Sequence, residues 1–123
     1  MSAGRDESLD ALLMLDGETF VIDLTGNHWV KFEVKRCEVT AERPHGLRYS
    51  LTLHDARGER LVGFDNAHAV TSGSGPGTKR PTAFDHRHRL RTVHPYDYRD
   101  AASLLTDFWA TVEAVLDEKG VKR

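Results

Sequence analysis

The stretch LRYSLTLH at residues 47–54 alternates apolar and polar side chains without interruption. Because successive side chains of a β-strand point to opposite faces, this period of two predicts a strand with one buried and one solvated face. The turn at 55–58 and the apolar-rich residues 60–65 predict an antiparallel return. Upstream, residues 29–39 predict a long strand with a bulge at 35–36, where the parity of the apolar side chains changes. These segments predict a three-stranded meander.

Further strands are predicted on both sides of this meander. Residues 11–15 and 19–24 flank the turn signal Asp16-Gly17 and predict a β-hairpin, with a short helix as the alternative for its first limb. Residues 84–90 predict one more strand.

The segment 101–119 carries apolar residues at spacings of one, three and four, which is typical of an amphipathic helix. Asp100 is a good N-cap, and Gly120 suits the left-handed residue after a helix. The sequence therefore predicts an α+β fold, in which an antiparallel meander or sheet of about five strands is packed by one long C-terminal α-helix.

A chain of 123 residues is the size of one domain. We expect residues 1–8 to be a disordered tail and residues 9–123 to form a single α+β domain, with 67–83 as a flexible loop rich in glycine. The single cysteine excludes an internal disulfide and favours the cytoplasm. The longest apolar run, 11–15, is too short to cross a bilayer, and we expect no membrane association and no signal peptide.

Charge is unevenly distributed, although the net charge is only −2. The segment 79–91 has one acid, Asp85, against five cations, which are Lys79, Arg80, Arg87, Arg89 and Arg91. A local basic segment on a mildly acidic domain favours a ligand that carries phosphate. The alternative is that these arginines pair with the acidic segment 100–118.

His86 and His88 are the main candidates for chemistry. Two residues apart on a strand, their imidazoles point to the same side and can converge on one ligand. In one interpretation they act as general acid and base on a phosphodiester, with nearby arginines stabilising the charge on phosphate. In another they bind a metal ion, completed by His68, His94, Asp65 or Asp85. In a third they are solvent-facing residues of a loop.

Asp65 and Asn66 lie where a predicted strand ends. Asn66 is expected to bond backbone groups in a turn, and Asp65 can orient a histidine by fixing its tautomer. The predicted catalytic residues are thus His86, His88, His68 and Asp65. We predict no metal, although His86, His88 and His68 would be its first ligands. The predicted phosphate-binding residues are Arg87, Arg89, Lys79, Arg91 and Tyr96, the last of which can stack on a base or else seal the helix against the sheet.

Several short runs, in this order and spacing, make residues 29–120 resemble the TumE family of toxin components from bacterial toxin–antitoxin systems. The runs are YSL (49–51), GERLV (58–62), FDNAH (64–68), DHRH (85–88), PY (95–96) and LLTDFW (104–109). In shorter members of that family, a few glycine-rich residues separate the Asp-Asn run from the Asp-His-Arg-His run, whereas the separation here is long.

This resemblance implies a small cytoplasmic toxin of a type II system that a cognate antitoxin protein neutralises. From the His/Arg cluster we add the hypothesis of a metal-independent endoribonuclease without a cofactor. The alternatives are a non-catalytic module that binds nucleic acid or protein, and a protein with a histidine-coordinated metal. An open edge of the predicted sheet would also allow a homodimer.

Overall fold

The computed structural model describes residues 7–40, 45–66, 70–71, 81–83, 85–90 and 92–121. In chain order the elements are α1 (Glu7–Met14), β1 (Thr19–Val21), β2 (Trp29–Arg36), β3 (Leu47–His54), β4 (Arg60–Asp65), β5 (Val70–Thr71), β6 (Pro81–Ala83), β7 (His86–Arg89), β8 (Thr92–Pro95) and α2 (Ala101–Glu118). Six strands form one antiparallel sheet in the order β1-β2-β3-β4-β7-β8, and β5 pairs with β6 in a separate two-stranded sheet.

The predicted α+β fold is confirmed, with six strands in the main sheet rather than about five. The prediction of an N-terminal hairpin is wrong, because residues 7–14 form a helix, which was the alternative for its first limb. Leu12 of α1 is buried, and Leu9 and Leu13 pack against the core, which is the spacing of a helical stripe. The predicted bulge at 35–36 is also wrong, since the pairing of β2 with β3 is regular as far as Arg36, where β2 ends.

The core lies between α2 and one face of the sheet. Phe108 of α2 contacts Phe32 of β2 and Phe64 of β4, with ring centroids 5.7 and 5.9 Å apart. All three side chains are buried, as is Leu51 on the strand between them. α2 begins as predicted, because the carboxylate of Asp100 accepts a hydrogen bond of 2.7 Å from the backbone of Ser103.

The alternate side chains of the same strands form the opposite face of the sheet, which we call the polar face. Two adjacent rows cross it: Lys31, Thr52, Gly63 and His88 in one, and Glu33, Ser50, Asp65 and His86 in the other. Among the described residues, neither helix combines the length and apolar character that a bilayer-spanning segment requires.

Candidate functional site

A carboxylate bridges two histidines on the polar face. Asp65, the last residue of β4, is the cross-strand partner of His86, the first residue of β7. Nε2 of His86 lies 2.9 Å from Oδ1 of Asp65, and Nε2 of His88 lies 3.4 Å from Oδ2. The two imidazole rings meet edge to face, with centroids 4.7 Å apart. Three of the four predicted catalytic residues therefore meet at one point, and His68 lies outside the described residues.

The hydrogen bonds of this cluster define which nitrogen each neutral histidine protonates. A carboxylate only accepts hydrogen bonds, so both Nε2 atoms act as donors towards Asp65. Asp65 and His86 are buried, whereas His88 is half-buried. In its neutral form, His88 therefore carries its proton on Nε2. None of the described residues bonds to its Nδ1, whose lone pair can accept a proton or bind a ligand.

The surroundings of His88 keep it neutral. Burial lowers the pKa of His88, and the positive charge of Arg60 lowers it further, while the carboxylate of Asp65 opposes both effects. The net direction is a pKa below the ordinary histidine value. A neutral imidazole at neutral pH is the form that can accept a proton.

Arg60 reaches this site through a β-bulge. The register of β3 and β4 shifts between Leu53 and His54, so that His54 pairs with Arg60, and Leu61 is the extra residue. Because the extra residue changes the parity of the strand, Arg60 lies on the polar face, where its side chain passes over Gly63. An ideal Cβ on Gly63 would be 3.1 Å from Cδ of Arg60 and 3.6 Å from its guanidinium carbon.

Sequence reasoning assigned no role to Arg60. The signal that could have found it is Gly63, a glycine in the interior of a strand, which often marks the close approach of another group. The parity of the strand argued against Arg60, because the bulge at Leu61 is not visible in the apolar pattern.

Arg87 and Arg89 lie on the opposite side of the sheet from the histidines. They occupy the alternate positions of β7, and Arg87 is the cross-strand partner of Phe64 on the α2 side. The guanidinium of Arg87 lies 6.0 Å from the centroid of the Phe64 ring, and Arg89 pairs with Glu118 of α2. The structure therefore does not bring these two predicted phosphate-binding residues to the cluster. Lys79 and Arg91 lie outside the described residues.

Tyr96 and Asn66 both have structural contacts. The ring of Tyr96 packs edge to face on Phe64 with centroids 5.0 Å apart, and its hydroxyl donates to Asp107 of α2 at 2.6 Å. Burial raises the pKa of Tyr96, as does this hydrogen bond. Tyr96 thus joins the helix to the sheet, which was the alternative to base stacking.

Asn66 is fully buried and continues the ladder of β3 beyond the end of β4. Its Oδ1 accepts from the backbone N–H of Tyr49 at 2.9 Å, and its Nδ2 donates to the carbonyl of Leu47 at 2.6 Å. It binds backbone groups, as expected, although these belong to a neighbouring strand and not to its own turn.

A third histidine, His45, holds the start of β7 in place. Nδ1 of His45 accepts from the backbone N–H of Leu47 at 3.2 Å, so Nε2 carries the proton and donates to Asp85 at 3.0 Å. The hydroxyl of Tyr49 donates to the same oxygen of Asp85 at 2.8 Å. Asp85 directly precedes His86, and these contacts fix the strand end that carries the polar-face cluster. Sequence reasoning missed this role of His45, because its partner is distant in the chain.

The cluster can perform either of two kinds of chemistry. An Asp-oriented imidazole beside a guanidinium suits proton transfer at a phosphate ester. One ligand atom from each of Asp65, His86 and His88 also lies within 4.8 Å of the others, a set that suits a transition-metal ion. Of the other ligands considered, Asp85 is bound to His45 and Tyr49, and His94 pairs with Arg87 on the opposite face.

Comparison with known proteins identifies the family. The sequence profile of the family described as Toxin TumE matches residues 17–116, which include every strand of the main sheet and most of α2. No curated protein and no solved structure gives a significant match. Because the profile covers most of the 123 residues, the chain belongs to the TumE toxin family.

Proposed function

We propose that this toxin cleaves RNA by acid–base chemistry at the polar face, without a metal ion. The observation that carries the proposal is the carboxylate of Asp65 between two imidazoles, with Arg60 beside them and with Nδ1 of His88 bonded to none of the residues that the structure describes. The arrangement matches the requirement for a general base of fixed tautomer next to a cation.

The reaction would be transfer of the phosphoryl group within the RNA. Nδ1 of His88 removes the proton of a 2′-hydroxyl, the 2′-oxygen attacks the adjacent phosphorus, and the bond to the 5′-oxygen breaks. The leaving oxygen takes a proton from water, and the hydroxide formed takes the proton from His88, which returns to its neutral form. The products are a 2′,3′-cyclic phosphate and a 5′-hydroxyl. Arg60 stabilises the negative charge that develops on the phosphate oxygens. Asp65 and His86 act as positioning residues, because Asp65 orients His88 and buried His86 holds Asp65.

The first experiment compares induced expression of the wild type, His88→Gln and His94→Gln in a heterologous bacterium. His94 is an exposed histidine on the opposite face of the sheet, where it pairs with Arg87, so it is the matched control. We expect growth arrest and cleaved RNA for the wild type and His94→Gln, and neither for soluble His88→Gln. A folded His88→Gln variant that remains fully toxic would overturn the proposal.

The same assay addresses the binding-module alternative. A non-catalytic module predicts that charge reversal at Arg87 and Arg89 abolishes toxicity and that histidine substitutions do not. We expect the opposite ranking, because Arg87 and Arg89 face α2.

In either case the toxin would be neutralised by a cognate antitoxin protein, which we propose from family membership. The cytoplasmic location and the homodimer stay predictions.

The second candidate function is a metal-dependent one, favoured by the three ligand atoms of Asp65, His86 and His88. Two histidines and one carboxylate are a common set for zinc or iron. Elemental analysis of protein purified without a histidine tag separates the two candidates. Cleavage that resists EDTA, by protein without stoichiometric metal, would support acid–base chemistry. If the wild type instead holds one metal ion per chain and His88→Gln holds none, the metal-dependent function replaces acid–base chemistry as the conclusion.

A further inference from the structure

Two aromatic rings are stacked on the polar face near the candidate site. Trp29 and His54 are cross-strand partners at the ends of β2 and β3, and their ring centroids lie 5.7 Å apart with an interplanar angle of 17°. Trp29 is half-buried on the face that α2 does not cover, whereas the next residue, Val30, is fully buried. The Trp29 side chain is therefore not needed to fill the core beneath α2.

The His54 ring is held in one orientation by both of its nitrogens. Nε2 lies 2.9 Å from the hydroxyl of Thr52, and Nδ1 lies 3.4 Å from the carbonyl of Gly58. Two such contacts fix the plane of the imidazole, and the indole lies almost parallel to it. The pair forms a preorganised aromatic surface of two stacked rings, which loses little side-chain entropy when another ring is added to the stack.

This surface is continuous with the candidate site. His54 is the cross-strand partner of Arg60, and Arg60 passes over Gly63, which is the cross-strand partner of His88. The row of Trp29, His54 and Arg60 lies beside the row of Lys31, Thr52, Gly63 and His88. Since adjacent strands are about 4.8 Å apart, the path from Trp29 on β2 to His88 on β7 covers about 15 Å across the sheet and moves from one row to the next. Stacked rings, a guanidinium and an imidazole follow one another along this path.

We propose that the polar face of the sheet binds single-stranded RNA, with a base stacked on the Trp29–His54 pair and the next phosphates at Arg60. The proposal rests on the proposed function, because the RNA strand it describes is the one whose phosphate meets His88. Aromatic platforms next to cations bind single strands because every base offers a π-face and every nucleotide a negative charge. Base-paired RNA offers no such face, so the site selects single strands.

Lys31 adds a further positive charge beside this path, in the same row as His88. It is the cross-strand partner of Thr52, between Trp29 and the histidine cluster, and its ammonium is exposed. The ion pair that it makes with Glu33 is 3.5 Å long and exposed at both ends, so it is weak and can exchange for a phosphate.

The chain contains two tryptophans, which allows a direct test. Trp109→Phe leaves Trp29 as the only tryptophan, so that its fluorescence reports on the polar face alone. The probe is a short single-stranded RNA oligonucleotide with 2′-O-methyl riboses, which has no 2′-hydroxyl and cannot be cleaved by the proposed reaction. We expect quenching of Trp29 on titration, and much weaker quenching by the same oligonucleotide annealed to its complement.

Substitutions then assign the affinity to the platform. We expect Trp29→Leu to raise the dissociation constant, and KM for a cleavable oligonucleotide, roughly tenfold with kcat little changed. Trp29→Phe should restore most of the affinity, because it retains an aromatic ring. Trp109→Phe alone is the matched control and should bind RNA as the wild type does.

The outcomes separate this inference from the proposed function. If His88→Gln abolishes cleavage but Trp29→Leu binds RNA as tightly as its parent, the inference is overturned and the proposed function stands. If RNA binding depends on Trp29 but no RNA is cleaved, the binding surface stands and the proposed chemistry fails. If the antitoxin quenches Trp29 and RNA does not, the polar face is a protein-binding surface and the inference is overturned.

Discussion

Arg60 occupies the space that a side chain on Gly63 would need. An ideal Cβ at Gly63 would lie 3.1 Å from Cδ and 3.4 Å from Nε of Arg60. The missing Cβ lets the guanidinium lie close to the sheet, near enough to His88 to lower its pKa. The bulge at Leu61 and the glycine are thus two parts of one arrangement that brings a cation to the histidine cluster.

Gly63→Ala should reduce RNA cleavage several-fold without destabilising the protein. Gly63 does not have a positive φ, and alanine loses less backbone entropy than glycine on folding, so the substitution does not strain the backbone. Its effect is to displace the side chain of Arg60. Cleavage rates and urea unfolding of the wild type, Gly63→Ala, Arg60→Gln and the double variant would test this. In the Arg60→Gln background, Gly63→Ala should have no further effect; two additive losses would show that the glycine acts in another way.

The acidic limb of the pH–rate profile should report the pKa of His88. Its base form is required, and its pKa is lowered, so kcat/KM should remain high below pH 6.5 and fall as the pH drops through the lowered value. Arg60→Gln removes one cause of the lowering, and the limb should move to higher pH. Among the described residues, the charged and titratable groups that shift the pKa of His88 are Arg60, Asp65 and His86. An unchanged limb in Arg60→Gln would contradict this assignment.

The same pKa has a consequence for stability. Between the lowered value and pH 6.5, the folded protein holds fewer protons on His88 than the unfolded chain does. Acidification through this window should therefore lower the free energy of unfolding. His88→Gln should remove this part of the pH dependence, which urea unfolding at several pH values can measure.

Asp65→Asn should lower kcat by about 10²- to 10⁴-fold while leaving KM nearly unchanged. The amide has the shape of the carboxylate, but it cannot accept from two Nε2–H groups, so one histidine must turn or change its tautomer. Steady-state kinetics with a fluorescent oligonucleotide would measure this. A matched Asp107→Asn variant, which alters the hydrogen bond to Tyr96 on the other side of the sheet, should keep its kcat.

Asn66→Ala should destabilise the protein by about 2–4 kcal/mol, because it leaves the backbone N–H of Tyr49 and the carbonyl of Leu47 without these partners in a buried place. Urea denaturation monitored by circular dichroism would give the change in the free energy of unfolding. Asn27→Ala, in the exposed turn before β2, is the control and should change it by less than about 0.5 kcal/mol. Equal effects of both substitutions would contradict the role of Asn66.

The sequence predicts the parts of the fold that depend on local patterns. The alternation at 47–54 and the apolar stripe of α2 correspond to observed elements, as does the N-cap at Asp100. The first limb of the hairpin fails because a run of leucines fits a buried strand and a helix equally well.

The candidate site is also partly predictable, because the alternation of side chains along a strand is a local pattern. Strand periodicity places His86 and His88 on one face, but it also separates them from Arg87 and Arg89, which sequence reasoning nevertheless placed at the same phosphate. Arg60 was missed because a bulge reverses the parity of its strand end. Such register changes depend on cross-strand packing, which the order of residues alone does not reveal.

The direct pairing of β4 with β7 makes the geometry of the candidate site independent of the chain that connects them. Asp65 and His86 are aligned by the hydrogen-bonded ladder between their strands, so we expect residues inserted between 66 and 85 to leave both side chains in place. In evolutionary terms, a connection of this kind is a position where a segment that recognises another molecule can be added while the strands that carry the cluster stay paired.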